Sequence, residues 1–218
     1  MDISHLGFNL LYLKKFLYFT VTLLTIMNPV AAAAIMVSIL GAEAEPKEVS
    51  RIALKASLTV LIASLLTLFA GDFIFKLFGI NLPSLKVIGG LILILLALDM
   101  LRGRVSETQH TKEETEEAME KEDISIVPLA IPILFGPGTL TTLVILKSRN
   151  SDPISLMLLI GAVLTSTLIT YLILRNSYLL VEVLGITGVK IATRLMGLVV
   201  GAIGAEFLID GVKKLWLS

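Results

Sequence analysis

Cysteine is absent from this 218-residue sequence, and histidine occurs only twice. Without cysteine the chain has no disulfides, no thiolate metal sites and no thiol catalysis. The two histidines, His5 and His110, lie near the N-terminus and in a charged stretch, so neither suits a site inside an apolar span. We therefore expect no metal and no cofactor.

Charged residues are also scarce. They make up 17% of the chain, whereas hydrophobic residues make up 56% and the mean hydropathy is +0.91. Soluble globular domains have about a quarter of their residues charged. Several separate apolar runs are long enough to cross a bilayer, which takes about 20 residues. The composition predicts a multi-pass protein of the cell membrane, with the lipid bilayer as a partner and no nucleic acid partner.

The apolar runs predict an all-α membrane fold of six spans in two groups of three. The predicted spans cover residues 16–40, 52–78, 85–101, 124–147, 154–174 and 189–209. The stretch 175–188 is ambiguous between a helix end and an interfacial segment. We expect a single transmembrane domain in which residues 1–101 form the first three-span repeat. Residues 102–123, rich in acidic side chains, form a solvated polar linker. Residues 124–218 form the second repeat.

The two groups of spans correspond at one offset of 108 residues, at which Pro29 falls on Pro137 and Lys86 falls on Arg194. Because each group has an odd number of spans, the second group enters the membrane from the opposite side. The pattern predicts a 3+3 inverted repeat with discontinuous helices one and four, an architecture typical of alternating-access transporters.

Each group opens with an interrupted span. The stretch from Phe16 to Ala42 has no charged residue, yet it carries Asn28-Pro29 near its middle. Proline removes a backbone donor and clashes with the preceding turn, while Asn is a good N-cap and Pro a good first helical residue. We expect one helix to end near Met27 and another to begin at Pro29. Gly136-Pro137-Gly138-Thr139 interrupts the fourth span in a similar way.

A helix that begins at membrane depth offers unpaired N–H groups and a partial positive charge of about half a unit, which suit a carboxylate. The carbonyls that end the preceding half-helix can accept hydrogen bonds from an ammonium group. Two breaks that face each other could thus bind a zwitterionic amino acid through the main chain alone. The predicted substrate-binding residues are Asn28, Pro29, Val30, Ala31, Ala32, Gly136, Pro137, Gly138, Thr139 and Thr141.

The residues beside the breaks limit the size of the substrate. Alanines follow the first break, and Gly138 and Thr139 follow the second, so there is little room for a large side chain. Hydroxyls from Thr139, Thr141 or Thr142 are available for hydrogen bonding. The site therefore suits glycine, alanine or serine better than leucine or lysine.

Other features of the spans each have two interpretations. Asp72, Asp99 and Glu206 are the acidic residues nearest to apolar spans, and a carboxylate that titrates there could couple transport to protons. All three lie toward span ends, so interfacial anchoring is the competing interpretation. The small residues of the sixth span predict close helix packing without substrate contact; they are Gly197, Gly201 and Gly204, with Ala202 and Ala205.

Three motifs resemble the MarC/SnatA family of bacterial and archaeal inner-membrane proteins. They are Asn28-Pro29, the stretch from Pro132 to Thr139, and Lys86-Val-Ile-Gly89-Gly90-Leu. The resemblance covers nearly the whole chain, including its size and six-span layout. It implies proton-driven symport of small neutral amino acids, glycine and alanine foremost, with serine and threonine as further candidates. It also implies a site on spans one and four, at residues 28–32 and 136–139.

Two other classes of function have to be compared with transport. A passive channel for small solutes or water is the alternative, because the water-channel family also combines Asn-Pro half-helices with inverted three-span repeats. There the half-helices follow the second and fifth spans, whereas here the breaks interrupt the first and fourth. A membrane enzyme would need a nucleophile with a base or metal ligands at depth. None is evident in this sequence, so we expect no enzymatic activity.

The direction of transport, the coupling ion and the oligomeric state are open at this stage. A small excess of Lys and Arg on the side of the acidic linker favours both termini outside, following the positive-inside rule.

Overall fold

The computed structural model describes residues 3–41, 44–103 and 124–217, and this part of the chain is helical without strands. Its elements are α1 (Ile3–Met27), α2 (Pro29–Leu40), α3 (Pro46–Leu77), α4 (Leu82–Arg102), a π-helical segment (Ser125–Leu134), α5 (Pro137–Arg149), α6 (Pro153–Arg175) and α7 (Ser177–Trp216). Counting α1 with α2, and the π-helical segment with α5, there are up to six membrane spans. The predicted all-α membrane fold is confirmed. The predicted linker lies outside the described residues, except for Arg102 and Gly103.

Proline determines where most of the helices begin. Five of the seven prolines stand in the first turn of a helix, where the missing N–H would have had no partner. Two of these helix starts have side-chain caps at the membrane face. Asn81 accepts a hydrogen bond from Ser84 N at 2.8 Å, and Asp152 accepts one from Ser155 N at 2.9 Å. These caps satisfy main-chain donors of the first helical turn, which have no intrahelical acceptor.

The helices extend beyond the predicted spans. α3 begins at Pro46, and α7 includes most of the ambiguous stretch before residue 189. Apolar sequence marks only the part of a helix inside the hydrocarbon layer, so polar turns that continue a helix are missed. Gly185, at φ 62° and ψ 174°, is not helical and separates the first two turns of α7 from its membrane-crossing part. Glycine tolerates this positive φ because it has no Cβ.

The largest helix contact joins α4 to α7 through glycine. A Cβ on Gly90 would lie 2.5 Å from Leu208 N and 2.6 Å from Gly204 O. Toward one end Gly211 lies against Pro83, and toward the other Gly197 lies against residue 100, so the two helices are antiparallel. The predicted packing role is confirmed for the three glycines of the sixth span, which all face α4, whereas Ala202 is exposed and does not belong to this contact.

The contacts of the two halves correspond to each other. The second half-helix of each interrupted span packs on the last helix of the other half: α2 on α7, and α5 on α4. The first part of each interrupted span packs on the middle helix of the other half: α1 on α6, and the π-helical segment on α3. An antiparallel third and sixth span is also what an inverted repeat requires. The repeat itself stays a prediction.

Ion pairs show which helix ends share a membrane face. Lys15 of α1 pairs with Asp152 before α6, Lys86 of α4 with Asp210 of α7, and Lys147 of α5 with Asp72 of α3. The middle of α1 and the beginnings of α4 and α6 therefore lie with the ends of α3, α5 and α7. We call this side of the protein the N-terminal face.

The outer surface of the helices is apolar. Phe69, Phe73 and Leu77, all on α3, are 64%, 69% and 72% exposed. Side chains of this size and exposure, repeated on α4, α6 and α7, are normal where lipid covers the surface. The exposed surface is thus that of a membrane protein.

We predict that Gly90→Ala destabilises the protein, because the added methyl group collides with the backbone of α7. Overpacking of this kind costs about 1–3 kcal/mol, which is roughly 3–10 °C in the thermal midpoint of a chain of this length. Gly161→Ala is the matched control, because its Cβ would lie at an ordinary 3.5 Å from the Phe16 ring. Thermal unfolding of the purified protein in detergent measures both. Equal midpoints for the two variants would contradict the close α4–α7 contact.

Candidate functional site

The first break is a single residue. Asn28 lies between α1 and α2 at φ 44° and ψ 61°, and it is the one residue other than glycine with a positive φ in the described chain. Asn tolerates this left-handed conformation better than most residues. Its side chain caps α2 by accepting a hydrogen bond from Ala31 N at 3.4 Å. The predicted helix end at Met27 and helix start at Pro29 are confirmed.

The second break bends the chain by 54° between the π-helical segment and α5. Gly136 is extended, at φ −97° and ψ −177°, and α5 has no side-chain cap. The chain before this break differs from the simple half-helix that we expected. Val127 and Ile131, each followed by a cis proline, are extended rather than helical. A proline disfavours the α-helical conformation of the residue before it, so two such prolines interrupt a regular α-helix.

Both breaks leave main-chain donors without helical acceptors. Helical pairing begins with Ala32 N, 3.2 Å from Asn28 O, and with Leu140 N, 3.1 Å from Gly136 O. In each helix, the main-chain N–H groups of the two residues that precede the first paired donor have no intrahelical acceptor. At the second break they belong to residues 138 and 139. At the first they belong to residues 30 and 31, and the Asn28 cap there is longer than the usual length of about 2.7–3.2 Å.

The two breaks lie together in the interior of the protein. Asn28 is 8% exposed and Thr139 is 1% exposed. A Cβ on Gly138 would lie 3.6 Å from Ile26 Cγ2 in the last turn of α1 and 3.1 Å from Leu93 Cδ2 of α4. The second helix start is therefore adjacent to the end of the first half-helix, with α4 beside them.

The other predicted site residues divide between the interior and its border. Three residues that flank the breaks are buried, namely Pro29, Ala32 and Gly136. Val30 and Ala31 are half-buried. The side chain of Pro137 is exposed. Gly138, Thr139 and Thr141 are buried in the first turns of α5. The structure thus groups the predicted residues other than Pro137 around the two helix starts.

The threonine hydroxyls of α5 are not equivalent. Thr139 Oγ1 donates to Leu134 O at 3.2 Å, and Thr141 Oγ1 donates to Pro137 O at 2.8 Å. These donors are therefore occupied by the backbone around the break. Thr142 is fully buried, and its hydroxyl has no hydrogen-bond partner among the described residues. A buried hydroxyl without a partner is uncommon, and a bound water or ligand is one explanation for it.

Two of the three predicted coupling carboxylates are ion-paired to the end of α5. Asp72 Oδ2 lies 2.8 Å from Lys147 Nζ, and Glu206 Oε1 lies 2.6 Å from Arg149 Nη1. Asp99 is half-buried on α4, toward the opposite face. Asp72 and Glu206 thus lie at the N-terminal face and hold α5 to its neighbours.

A buried ion pair between α4 and α7 was not predicted from the sequence. Lys86 is 1% exposed, and its Nζ lies 2.6 Å from Asp210 Oδ2. The same oxygen lies 2.9 Å from Arg149 Nη2. Two signals were available: a lysine early in an apolar helix, and the spacing of Glu206 and Asp210, which places both carboxylates on one face of α7. In the sequence, Lys86 served as a marker of the repeat and as part of a family motif, and its partner was not predicted.

A further ion pair at the same face does not involve α5. Lys15 Nζ lies 3.8 Å from Asp152 Oδ2 and also donates to the Ser155 hydroxyl. Hydrogen bonds from Ser155, together with the nearby charge of Lys15, hold the pKa of Asp152 below its usual range. This pair joins α1 to the beginning of α6.

The fold and the site together define a multi-pass membrane protein whose first and fourth spans are interrupted in the interior. The family follows from comparison with known proteins: residues 13–216 match the MarC family integral membrane proteins, and the chain belongs to this family.

Relatives of similar length occur in bacteria and archaea. The chain is 35% identical over 208 residues to a UPF0056 membrane protein of Aquifex aeolicus, covering 95% of both chains. It is 35% identical over 203 residues to one of Methanocaldococcus jannaschii, covering 92% of this chain and 97% of the relative. It is 31% identical over 198 residues to one of Escherichia coli K12, covering 91% of this chain and 92% of the relative. No solved structure matches.

We predict that Asn28→Ala lowers stability more than Asn28→Gly. Alanine loses the cap and must adopt a left-handed conformation, which together cost about 2–3 kcal/mol. Glycine loses the cap but adopts the conformation freely, and the expected loss is about a few tenths of a kcal/mol. Thermal midpoints in detergent report the difference. If the two variants unfold at the same temperature, the left-handed geometry of the first break is wrong.

Proposed function

We propose that this MarC family protein is a secondary active transporter of small neutral amino acids in the cell membrane. Glycine and alanine are the expected substrates, followed by serine and threonine. The substrate binds between the two breaks, and the halves of the protein move to open the site to each side in turn. The observation that carries the proposal is the adjacency of two helix breaks in the interior, each with two main-chain N–H groups that lack helical acceptors.

Main-chain groups around the breaks match both charges of an amino acid. The N–H groups of Gly138 and Thr139 lie at the positive end of α5 and suit the carboxylate. The last carbonyls of α1, apart from Leu24 O, which accepts from Asn28 N at 3.0 Å, suit the ammonium group. Recognition of this kind needs no charged side chain. The stretches 16–42 and 124–146, which include the two breaks, contain no charged residue.

Close packing around the breaks favours small substrates. Ala32 and Ala33 are fully buried, and the space beside Gly138 is bordered by Leu93 and Leu96. A substrate with a large side chain would have to displace these leucines from a well-packed interior, which is costly. Glycine and alanine add no more than one methyl group beyond the zwitterion itself.

We further propose that the proton gradient drives transport through the carboxylates near the membrane faces. Protonation of Asp72 or Glu206 would remove one charge from an ion pair that holds the last turn of α5. Because α5 begins at the second break, a change at its end can be transmitted to the substrate site. Asp99 stays a third candidate for this role.

The test is counterflow of labelled glycine in proteoliposomes, with Thr142→Val as the site variant. Valine has nearly the shape of threonine, and removal of an unpartnered hydroxyl costs little stability. We expect an unchanged thermal midpoint and a glycine exchange rate about tenfold lower, as for the loss of one hydrogen bond worth about 1.4 kcal/mol. Ser177→Ala is the matched control, since it removes another unpartnered buried hydroxyl, at the start of α7.

Two results would contradict the proposal: no exchange of glycine or alanine by the parent protein, or exchange of leucine as fast as of glycine. Exchange of glycine by Thr142→Val as fast as by the parent would show instead that the Thr142 hydroxyl does not contact the substrate. Rapid water flux without counterflow would favour the passive channel instead. Stopped-flow light scattering on the same proteoliposomes measures that flux.

A further inference from the structure

We propose that six charged residues around the end of α5 form the gate that closes the N-terminal face of the transport pathway. This inference rests on the proposed function. The gate cluster consists of Asp72, Lys86, Lys147, Arg149, Glu206 and Asp210.

The gate cluster joins the last turn of α5 to α3 and α7, and joins α7 to α4. Lys147 binds Asp72 of α3, and Arg149 binds Glu206 and Asp210 of α7. Asp210 in turn binds Lys86 of α4. Movement of the end of α5 away from its neighbours therefore requires at least three ion pairs to break.

The contacts of Arg149 are stronger than those of an ordinary surface residue. Its side chain is 24% exposed, and its Cζ lies 5.0 Å from the centre of the Phe207 ring. A guanidinium held by two carboxylates and an aromatic ring is fixed in position. Removal of Arg149 would take this partner from Glu206 and leave Asp210 with Lys86 alone, and loss of one member of a partly buried network costs more than loss of an exposed pair.

The corresponding end of α2 has different chemistry. At the offset of 108 residues, Lys147 and Arg149 fall on Ile39 and Gly41. Gly41 O accepts a hydrogen bond of 2.5 Å from the Tyr178 hydroxyl. Lys147 and Arg149 at the end of α5 thus have no charged counterparts at the end of α2, which is held by a neutral contact.

α5 connects the gate cluster directly to the substrate site. Its 13 residues begin at the second break and end at Arg149, a length of roughly 20 Å. Along this length it packs on glycines of its neighbours: Val144 lies against Gly71 of α3, and Thr141 lies against Gly89 of α4. α5 therefore runs as one unbroken helix from the substrate site to the gate cluster, so that a displacement of its charged end can be passed to the break.

The test exploits the cysteine-free sequence. Thr142→Cys places one thiol on α5, one turn beyond the break toward the N-terminal face, where it is fully buried. Ser151→Cys, in the exposed turn before α6, is the control for vesicle orientation. Its labelling identifies the vesicle preparation in which the N-terminal face is on the side of the reagent. The rate of labelling by a membrane-impermeant anionic maleimide, without substrate, measures access from the N-terminal face.

We expect Arg149→Gln to increase the labelling rate of Thr142→Cys by about tenfold, because it breaks two ion pairs of the gate cluster. Lys15→Gln is the matched control at the same face. It breaks the pair with Asp152, which does not involve α5, and should leave the rate unchanged. An unchanged rate in Arg149→Gln, or an equal increase in Lys15→Gln, would overturn the gate.

A charge reversal tests the same inference if Arg149→Gln fails to fold. Lys147→Asp should increase the labelling rate, and Lys147→Asp combined with Asp72→Lys should return it to within about twofold of the parent, because the ion pair is restored. If the double variant labels as fast as the single one, the Asp72–Lys147 ion pair does not close the face.

The gate and the proposed function can fail separately. Faster labelling in the gate variants, together with no exchange of glycine or alanine by the parent, would retain the gate and reject the substrate class. Exchange of glycine by the parent, with no change of labelling in any gate variant, would reject the gate alone.

Discussion

Main-chain N–H and C=O groups inside a bilayer must find partners within the protein, because lipid offers none. Both helix breaks violate the simplest solution to this constraint, an unbroken helix. Such breaks are tolerated where the protein covers them or where they line a polar space. Asn28 and Gly136 are both buried, and the second helix start is adjacent to the last turn of α1. The rest of the fold can be understood as what keeps these two breaks together and away from lipid.

The remaining helices provide that support in two different ways. α4 and α7 approach closely enough for glycine backbones to touch, which makes a tight contact beside the breaks. Ion pairs at the N-terminal face then join α5 to α3 and α7, and α7 to α4. The region around the breaks is therefore neutral and close-packed, whereas the ion pairs that join these helices lie at the N-terminal face. This division suits the proposed binding of a dipolar solute at the centre and the proposed gate at the N-terminal face.

Local sequence signals predicted the parts of the structure that depend on a few neighbouring residues. Asn28-Pro29 predicted both a helix end and a helix start, because each residue has a strong conformational preference of its own. The small residues of the sixth span predicted a close helix contact for a similar reason. The path of the chain through residues 125–134 was not predicted, since two prolines and their preceding residues change the backbone together.

Contacts between distant residues could not be predicted from the sequence. The Lys86–Asp210 pair joins residues 124 positions apart, and the Arg149–Asp210 pair joins residues 61 positions apart. Neither follows from spacing, because both depend on how α4, α5 and α7 pack. The hydroxyl partners of the α5 threonines likewise depend on rotamers. The sequence therefore indicated three available hydroxyls, whereas in the structure the Thr142 hydroxyl alone of these three has no partner among the described residues.

The proposed function depends on two adjacent helix breaks that bind a small zwitterion through main-chain groups. An experimental structure determined with glycine at a concentration that saturates exchange provides the most direct test. We expect density for one glycine between the breaks, with its carboxylate at the N–H groups of Gly138 and Thr139 and its ammonium group toward the last carbonyls of α1. Glycine bound elsewhere, or an empty space between the breaks under those conditions, would contradict this mode of binding.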